Sequence, residues 1–503
     1  MRESAALTRS SVVTNMRHHR WWITAMYRTL AAALLCTLFA IPPASARDVP
    51  TTLSTQLDAQ LQSNRERYGI AGQAVLVTHN GQVLYQGASG ERDPAAHAPA
   101  TVETIFAAQS MAKLLTSTLV MQLVDQGKVD LDAPASRYVP GLPIAWQAIH
   151  VRDFLNHSSG IGEYYDRVDN RWVSKGYPGV APDLAAALKV AGAAPMQFAT
   201  GSRMQYTQAN YLVLTALLEA HYRTPYPAIA RERILQPLKM TSTSWGIANV
   251  PVERAAVPYI GKDGALQPAN EDPWPNYGWG HADLQTTVGD MNRFLQALAT
   301  GKLVRTATLE KLWQPQKLSG GGSNFFSTGW DTTRSDGYTQ VGHDGGTRVR
   351  ARLAYKGTLA SGYWVFVYLT NGSARNVWSS TLVESTMAVV APGEFPHAVL
   401  SERLIGYALD DSTDAKPQMR SWLRDSNGVP TGELERAING DGYAIRESLG
   451  ARKALKVFAL NTELYPQSAN TWDSLAECHA ALGEREAADR LYAKAKKLAK
   501  PSP

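Results

Sequence analysis

Thr104-Ile105-Phe106-Ala107-Ala108-Gln109-Ser110-Met111-Ala112-Lys113 reads as a strand-like stretch entering a helix. Residues 110–126 have an amphipathic helical pattern that stops at Gly127. A serine and a lysine three apart on a helix share a face, their Cβ atoms about 5–6 Å apart. The spacing therefore brings an amine within reach of a hydroxyl. A serine hydroxyl is a weak nucleophile until a neighbouring base takes its proton. Ser110 would also lie in the first helical turn, where free N–H groups favour developing negative charge.

Working outward, residues 72–88 read as a hairpin about Asn80-Gly81, a type I′ turn signal. A helix-like lead, residues 52–68, precedes it. From about 130 to 300 the pattern is mostly helical. Strand character returns at 339–343, 347–355 and 362–370, the last rich in aromatic and β-branched residues, and a helix follows at about 374–391. Strands come first and last with helices between. The predicted fold is α/β of the α+β kind: one antiparallel sheet drawn from both chain ends, flanked by helices, with a helical subdomain. A cleft between sheet and helices is the expected site.

The chain has 503 residues, 44% hydrophobic and 19% charged, enough for two or three domains with a sizeable core. Residues 1–46 read as an export signal. A basic start (Arg17, Arg20, Arg28) leads into an apolar run, Leu30–Ile41, and then Ala44-Ser45-Ala46, a small-x-small cleavage site. The run is short for a bilayer span. Met16 and Met26 are alternative starts, and Cys36 lacks the small preceding residue of a lipoprotein signal. This segment holds five arginines and one glutamate, so the formal charge of +6 falls to +2 without it. The charge thus gives no case for nucleic acid. Cleavage would leave one cysteine, Cys478, and no intrachain disulfide. The expected product is exported, periplasmic or secreted, with no stable membrane span.

Residues 47–398 are read as one domain carrying the candidate site, the polar segment 399–430 as a linker, and 431–500 as helical repeats. Trp472, Leu475, Ala476, Gly483, Ala488, Tyr492 and Ala495 fit the tetratricopeptide spacing, and Ala454, Phe458 and Pro466 fit the same frame one repeat earlier. About two helix–turn–helix repeats are predicted. They would dock on the first domain or on a protein partner.

The chain resembles the serine β-lactamase and penicillin-binding-protein family, in its class C, DD-peptidase and esterase branch. The resemblance rests on Ser110-Met111-Ala112-Lys113, Asp130-Leu131-Asp132-Ala133-Pro134, Asn156-His157-Ser158-Ser159-Gly160, Tyr206-Thr207-Gln208, Gly278-Trp279-Gly280 and His343-Asp344-Gly345-Gly346, in family order over roughly residues 65–390. It implies Ser110 as acylated nucleophile, Lys113 holding its hydroxyl, and Tyr206 as general base in its phenolate form. The phenolate needs an ammonium nearby, since free tyrosine titrates near pH ~10. The resemblance also implies an oxyanion hole from the N–H groups of Ser110 and Gly346, with Gly345 and Gly346 letting substrate approach.

Two departures bear on substrate. Gln208 stands where the family has asparagine, which sets the carboxamide one methylene further into the cleft and favours ester or peptide over β-lactam turnover. His343 stands where β-lactamases carry lysine. Carboxylate-bearing substrates are then expected to lose affinity as pH rises through the histidine pKa, ordinarily near ~6.5. Arg348, Arg350 and Arg352 alternate on a predicted strand. Arg348 is a candidate carboxylate ligand, the alternative being a salt-bridged sheet face. His157 and Ser159 read as a structural turn; Tyr164, Tyr165 and Trp279 read either as cleft wall or as core. No hydrolase elbow, zinc helix, phosphate loop or dinucleotide fingerprint is present, so no metal or cofactor is expected. The predicted activity is an acyl-enzyme hydrolase acting on an ester, a D-amino-acid peptide or a β-lactam. The alternative is a catalytically weak penicillin-recognising scaffold working through its helical tail.

Overall fold

In the computed structural model, Asn80 and Gly81 both take positive φ (50° and 81°), as a type I′ turn requires. They join strands Gly72–His79 and Gln82–Asp93. The structure describes residues 51–499 apart from 169–170, 263, 270–271 and 426–427. The export signal read at residues 1–46 lies outside the described residues.

On its other edge Gly72–His79 pairs antiparallel with Tyr363–Thr370, Gln73 opposite Thr370 and Val77 opposite Phe366. An eight-stranded sheet results, in the spatial order Phe326–Ser327, Trp330–Ser335, Tyr338–Gly345, Val349–Tyr355, Tyr363–Thr370, Gly72–His79, Gln82–Asp93 and Ala98–Pro99. Sheet centre and chain ends therefore coincide, as the strand distribution predicts. Side chains alternate between two cores with the period of a strand. Val75, Val77, Phe366 and Tyr368 pack with helices Thr51–Tyr68 and Ser379–Val390. Ala74, Leu76, Val365 and Val367 face the helical subdomain. Burial contributes roughly 1.5–3 kcal/mol for each fully enclosed Val or Phe, which fixes this register firmly.

Helix Ala112–Asp125 corrects the amphipathic reading. Every residue from Ala112 to Leu123 is buried, because the helix runs between sheet and subdomain. Its polar positions are met locally. Thr116 donates to the Gly280 carbonyl (2.6 Å), Ser117 lies 3.0 Å from the Tyr211 hydroxyl, and Thr118 bonds back to Leu114 (2.7 Å).

The segment read as a linker is helical instead. Pro396–Leu409 and Ala415–Asp425 are helices, and Leu400, Leu404, Ile405 and Ala408 form a buried stripe at helical spacing. Their charged outer faces masked that stripe in the sequence. Four helices follow, Thr431–Leu449, Ala451–Leu464, Ala469–Ala481 and Arg485–Leu498, packed in succession. Helix Pro396–Leu409 is tied to the first domain by Arg67–Glu402 (2.7 Å) and His397–Asp336 (2.5 Å), and to helix Thr431–Leu449 of the tail by Ser401–Asp441 (2.5 Å). Cys478 is buried in it. No helix among the described residues is long and apolar enough to cross a membrane.

Candidate active site

Strand Phe106–Gln109 ends on Gln109, whose φ of 48° lies in the left-handed region. A non-glycine residue there costs about 1 kcal/mol or more and turns the chain sharply. Ser110 occupies that turn, two residues before helix Ala112–Asp125 begins. Two cavities, of about 440 and 280 Å³, meet at this point, and Ser110 and Gly346 front both.

Lys113 is fully buried beneath Ser110. Its Nζ donates to the His281 carbonyl at 2.7 Å and lies 3.3 Å from Ser110 Oγ. The same nitrogen sits 4.9 Å from the ring centroid of Tyr206. Burial pushes the amine well below the ordinary lysine range, and the charge of Glu163 only partly opposes this. Tyr206 exposes 40% of its surface, while its phenol is close enough to Ser110 for the serine hydroxyl to influence its acidity. Burial drives the phenol upward, against the smaller downward pull of the Ser110 hydroxyl. Both directions favour a neutral amine beside a neutral phenol. They run against the resting phenolate that the resemblance implies, desolvation being the largest cause for each group.

His343 lies on strand Tyr338–Gly345 and is 5% exposed. Its Nδ1 is 2.8 Å from the Asp344 N–H and 2.7 Å from the Asp344 carbonyl oxygen. Its Nε2 is buried without a partner among the described residues, and the residue lines the smaller cavity. Burial, with Lys113 adding to it, lowers His343 to about 4. The loss of carboxylate binding expected as pH rises through the histidine pKa is thereby moved down from ~6.5 toward about 4.

The two glycines do different things. A Cβ on Gly345 would sit 2.4 Å from the Ala108 carbonyl oxygen, so glycine lets this strand close on the nucleophile strand. A Cβ on Gly346 would meet nothing within 4 Å, so that position opens on the cleft. Thr347 pins the same turn by donating to the Ala107 carbonyl (2.6 Å).

Arg348 is not on the strand. Its φ is 63°, it sits in the turn before Val349–Tyr355, and its guanidinium donates to Asn376 Oδ1. It lines neither cavity. Arg350 and Arg352 do share a sheet face, where they engage Asp331 and Asp344. Burial would raise Asp344, but those two arginines hold it down at about 2.

Gln208 precedes helix Ala209–Tyr222 and lines the larger cavity, its Oε1 buried without a partner among the described residues. Its backbone N–H donates to Glu163 (2.7 Å), as does that of Ala209 (3.1 Å). Glu163 thus caps this helix and brings a buried negative charge near Lys113. Burial raises its pKa while the N–H bonds pull the other way. Sequence reasoning missed Glu163, because the amides it caps lie 45 residues further along.

Of the candidate aromatic residues, Tyr165 lines the larger cavity. Tyr164 is buried and hydrogen-bonds His281 (2.9 Å), and Trp279 packs behind on Trp274 and Trp245. Trp172 and Trp274 complete the wall and were not anticipated. His157, read as a turn residue, does take a turn conformation (φ 55°) and also stacks on Tyr206.

Comparison with known proteins agrees with this architecture. The chain is 32% identical to Esterase EstB of Burkholderia gladioli over 47% of its own length and 60% of the esterase. It thus spans about three fifths of that relative. It is 24% identical to Penicillin-binding protein 4 of Amycolatopsis lactamdurans, over 66% of this chain and 89% of that one. The octameric penicillin-binding protein homologue from Pyrococcus abyssi superposes with a TM-score of 0.57 at 23% identity, covering 70% of this chain and 81% of that structure, which speaks to fold. The Beta-lactamase family model matches residues 57–379, and the chain belongs to that family of serine hydrolases.

Proposed function

We propose that this enzyme hydrolyses neutral carboxylic esters or amides through an acyl-enzyme on Ser110. The observation that carries this reading is the convergence of Lys113 Nζ and the Tyr206 phenol on Ser110, where the two cavities meet. Ser110 Oγ adds to the substrate carbonyl carbon, and its proton passes to the neutral Lys113 amine. The carbonyl oxygen becomes an anion facing the N–H groups of Ser110 and Gly346. Collapse breaks the bond to the leaving group, which takes its proton from Tyr206. Lys113 then returns a proton to the phenolate. Water cleaves the acyl-enzyme by the reverse relay and restores Ser110.

The electrostatics favour an ester or amide without a carboxylate on its leaving group. The smaller cavity is fronted by Asp331, Asp344 and a neutral His343, with no Lys or Arg in its wall. Arg350 and Arg352 are spent on those two aspartates. Gln208 in place of asparagine supports the same preference for esters over β-lactams. Residues 1–46 support export, which N-terminal sequencing of the secreted protein tests by a start at Arg47. The second helices of the two tail hairpins open at Ala451 and Arg485, the thirty-four-residue offset of a tetratricopeptide pair, and support a role for residues 431–500 in protein binding.

Incubation with a fluorescent fluorophosphonate and a fluorescent penicillin, beside Ser110→Ala, tests the reading. Labelling of the native enzyme by the fluorophosphonate, lost in Ser110→Ala, is the expected result. Absence of labelling by both reagents overturns it.

A further inference from the structure

The two cavities at Ser110 differ in chemistry, and the difference assigns the two halves of the substrate. The smaller one contains Tyr206, the group placed to protonate the leaving atom, together with the Asp331, His343 and Asp344 cluster. The larger one lacks Tyr206 and carries an aromatic wall. In that wall the Trp172 and Trp274 rings stack with centroids 4.4 Å apart. Tyr165 stands edge-on to both, 5.1 Å from each. Ile247 and Ile260, each 41% exposed, add further apolar surface.

The wall is fixed in place. Tyr165–Val168 and Arg171–Ser174 form a two-stranded ribbon, and Arg167 opposite Trp172 lays its guanidinium 5.0 Å from the indole centroid. Trp172 Nε1 donates to the Asp272 carbonyl (3.2 Å), and Arg171 pairs with Asp272 (3.2 Å). An aromatic surface held this way offers edge-to-face and stacked contact to a planar ring with little ordering cost.

Resting on the acyl-enzyme reading above, we propose that the larger cavity is the acyl site and that it selects acyl groups bearing an aromatic ring, while the leaving group departs through the smaller cavity as a compact alcohol or amine. The ring of such an acyl group lies against Trp172 and Trp274, and its carbonyl carbon meets Ser110. The ribbon residues Tyr165 and Trp172 are thereby specificity determinants lying outside the Ser110, Lys113 and Tyr206 set.

Two isomeric esters test this directly. Methyl phenylacetate carries its ring on the acyl side and benzyl acetate on the alcohol side, at equal composition and with alcohols of similar basicity. The native enzyme is expected to hydrolyse methyl phenylacetate with kcat/KM at least about tenfold above benzyl acetate, the scale of discrimination a well-formed apolar pocket supplies. Trp172→Ala should bring that ratio close to one, and Trp172→Phe should keep most of it. Ile260→Ala, at a more exposed part of the wall, should reduce it by a smaller factor. A native ratio of one or below, with fluorophosphonate labelling of Ser110 intact, overturns this assignment alone. So does a ratio untouched by Trp172→Ala. Loss of labelling in the native enzyme overturns the acyl-enzyme reading and this assignment with it.

Discussion

The imidazole of His157 lies against the phenol ring of Tyr206, centroids 4.3 Å apart and planes 29° apart. The imidazole Nδ1 is fixed by the Thr207 N–H (3.2 Å) and by Asn210 (3.1 Å), and burial keeps the ring neutral. Phe326 closes on it from another side, at 4.9 Å. A neutral, immobilised ring of this kind is a platform that sets where the Tyr206 hydroxyl points.

Removing the platform should therefore harm the chemical step more than binding. His157→Asn keeps a residue that tolerates the positive φ at this position. We expect kcat to fall by about tenfold, with KM within a factor of about two, the pattern of a misplaced proton donor. Steady-state kinetics on one neutral ester decides it. An unchanged kcat, or a change confined to KM, removes His157 from this positioning role.

Lys113 gives a sharper expectation because its amine must be neutral to take the Ser110 proton. Lys113→Arg should be as impaired as Lys113→Met, each losing about 10²–10⁴-fold in kcat/KM, since a guanidinium cannot deprotonate. In the native enzyme kcat/KM should rise with pH through the lowered lysine pKa and be flat well before pH ~10.4. Substantial activity in Lys113→Arg contradicts the assignment, as does an acid limb that first appears in the ordinary lysine range.

His343 makes a stability prediction. Its folded pKa of about 4 lies below the ordinary ~6.5, so the unfolded chain binds the extra proton between these values. Stability is then lost as pH falls from ~6.5 towards ~4, by about 3 kcal/mol for this group. His343→Gln should flatten that part of the pH profile of Tm. An equally steep acid loss in His343→Gln shows that other groups account for it.

Gln208 separates ester from β-lactam chemistry. Shortening it in Gln208→Asn should raise the rate of Ser110 acylation by a penicillin about tenfold and leave Tm within a few degrees. Stopped-flow labelling measures the rate, and no gain discards the account of this position.

The reach of the sequence differed between fold and site. The Asn80-Gly81 turn and the strand Tyr363–Thr370 carry local signals strong enough to place the neighbouring interior strands of the sheet. Ser110 and Lys113 are only three residues apart, across the turn that opens helix Ala112–Asp125, so their proximity is local in sequence. Trp172 and Glu163 were not legible, since each reaches the site through contacts distant along the chain, to Asp272 and to the amides of Gln208 and Ala209. Arg348 was misplaced because period-two alternation continued through a turn that its own left-handed backbone creates. The directions of the Lys113, Tyr206 and His343 shifts depend on burial, which residue spacing does not reveal.

The central claim is a covalent acyl group on Ser110. Acid-quenching the enzyme during turnover of methyl phenylacetate and mapping its peptides by mass spectrometry tests this most directly. The account predicts a phenylacetyl mass increment confined to the peptide bearing Ser110, with neither adduct nor turnover in Ser110→Ala. Turnover that persists in Ser110→Ala, or an adduct on another residue, would contradict it.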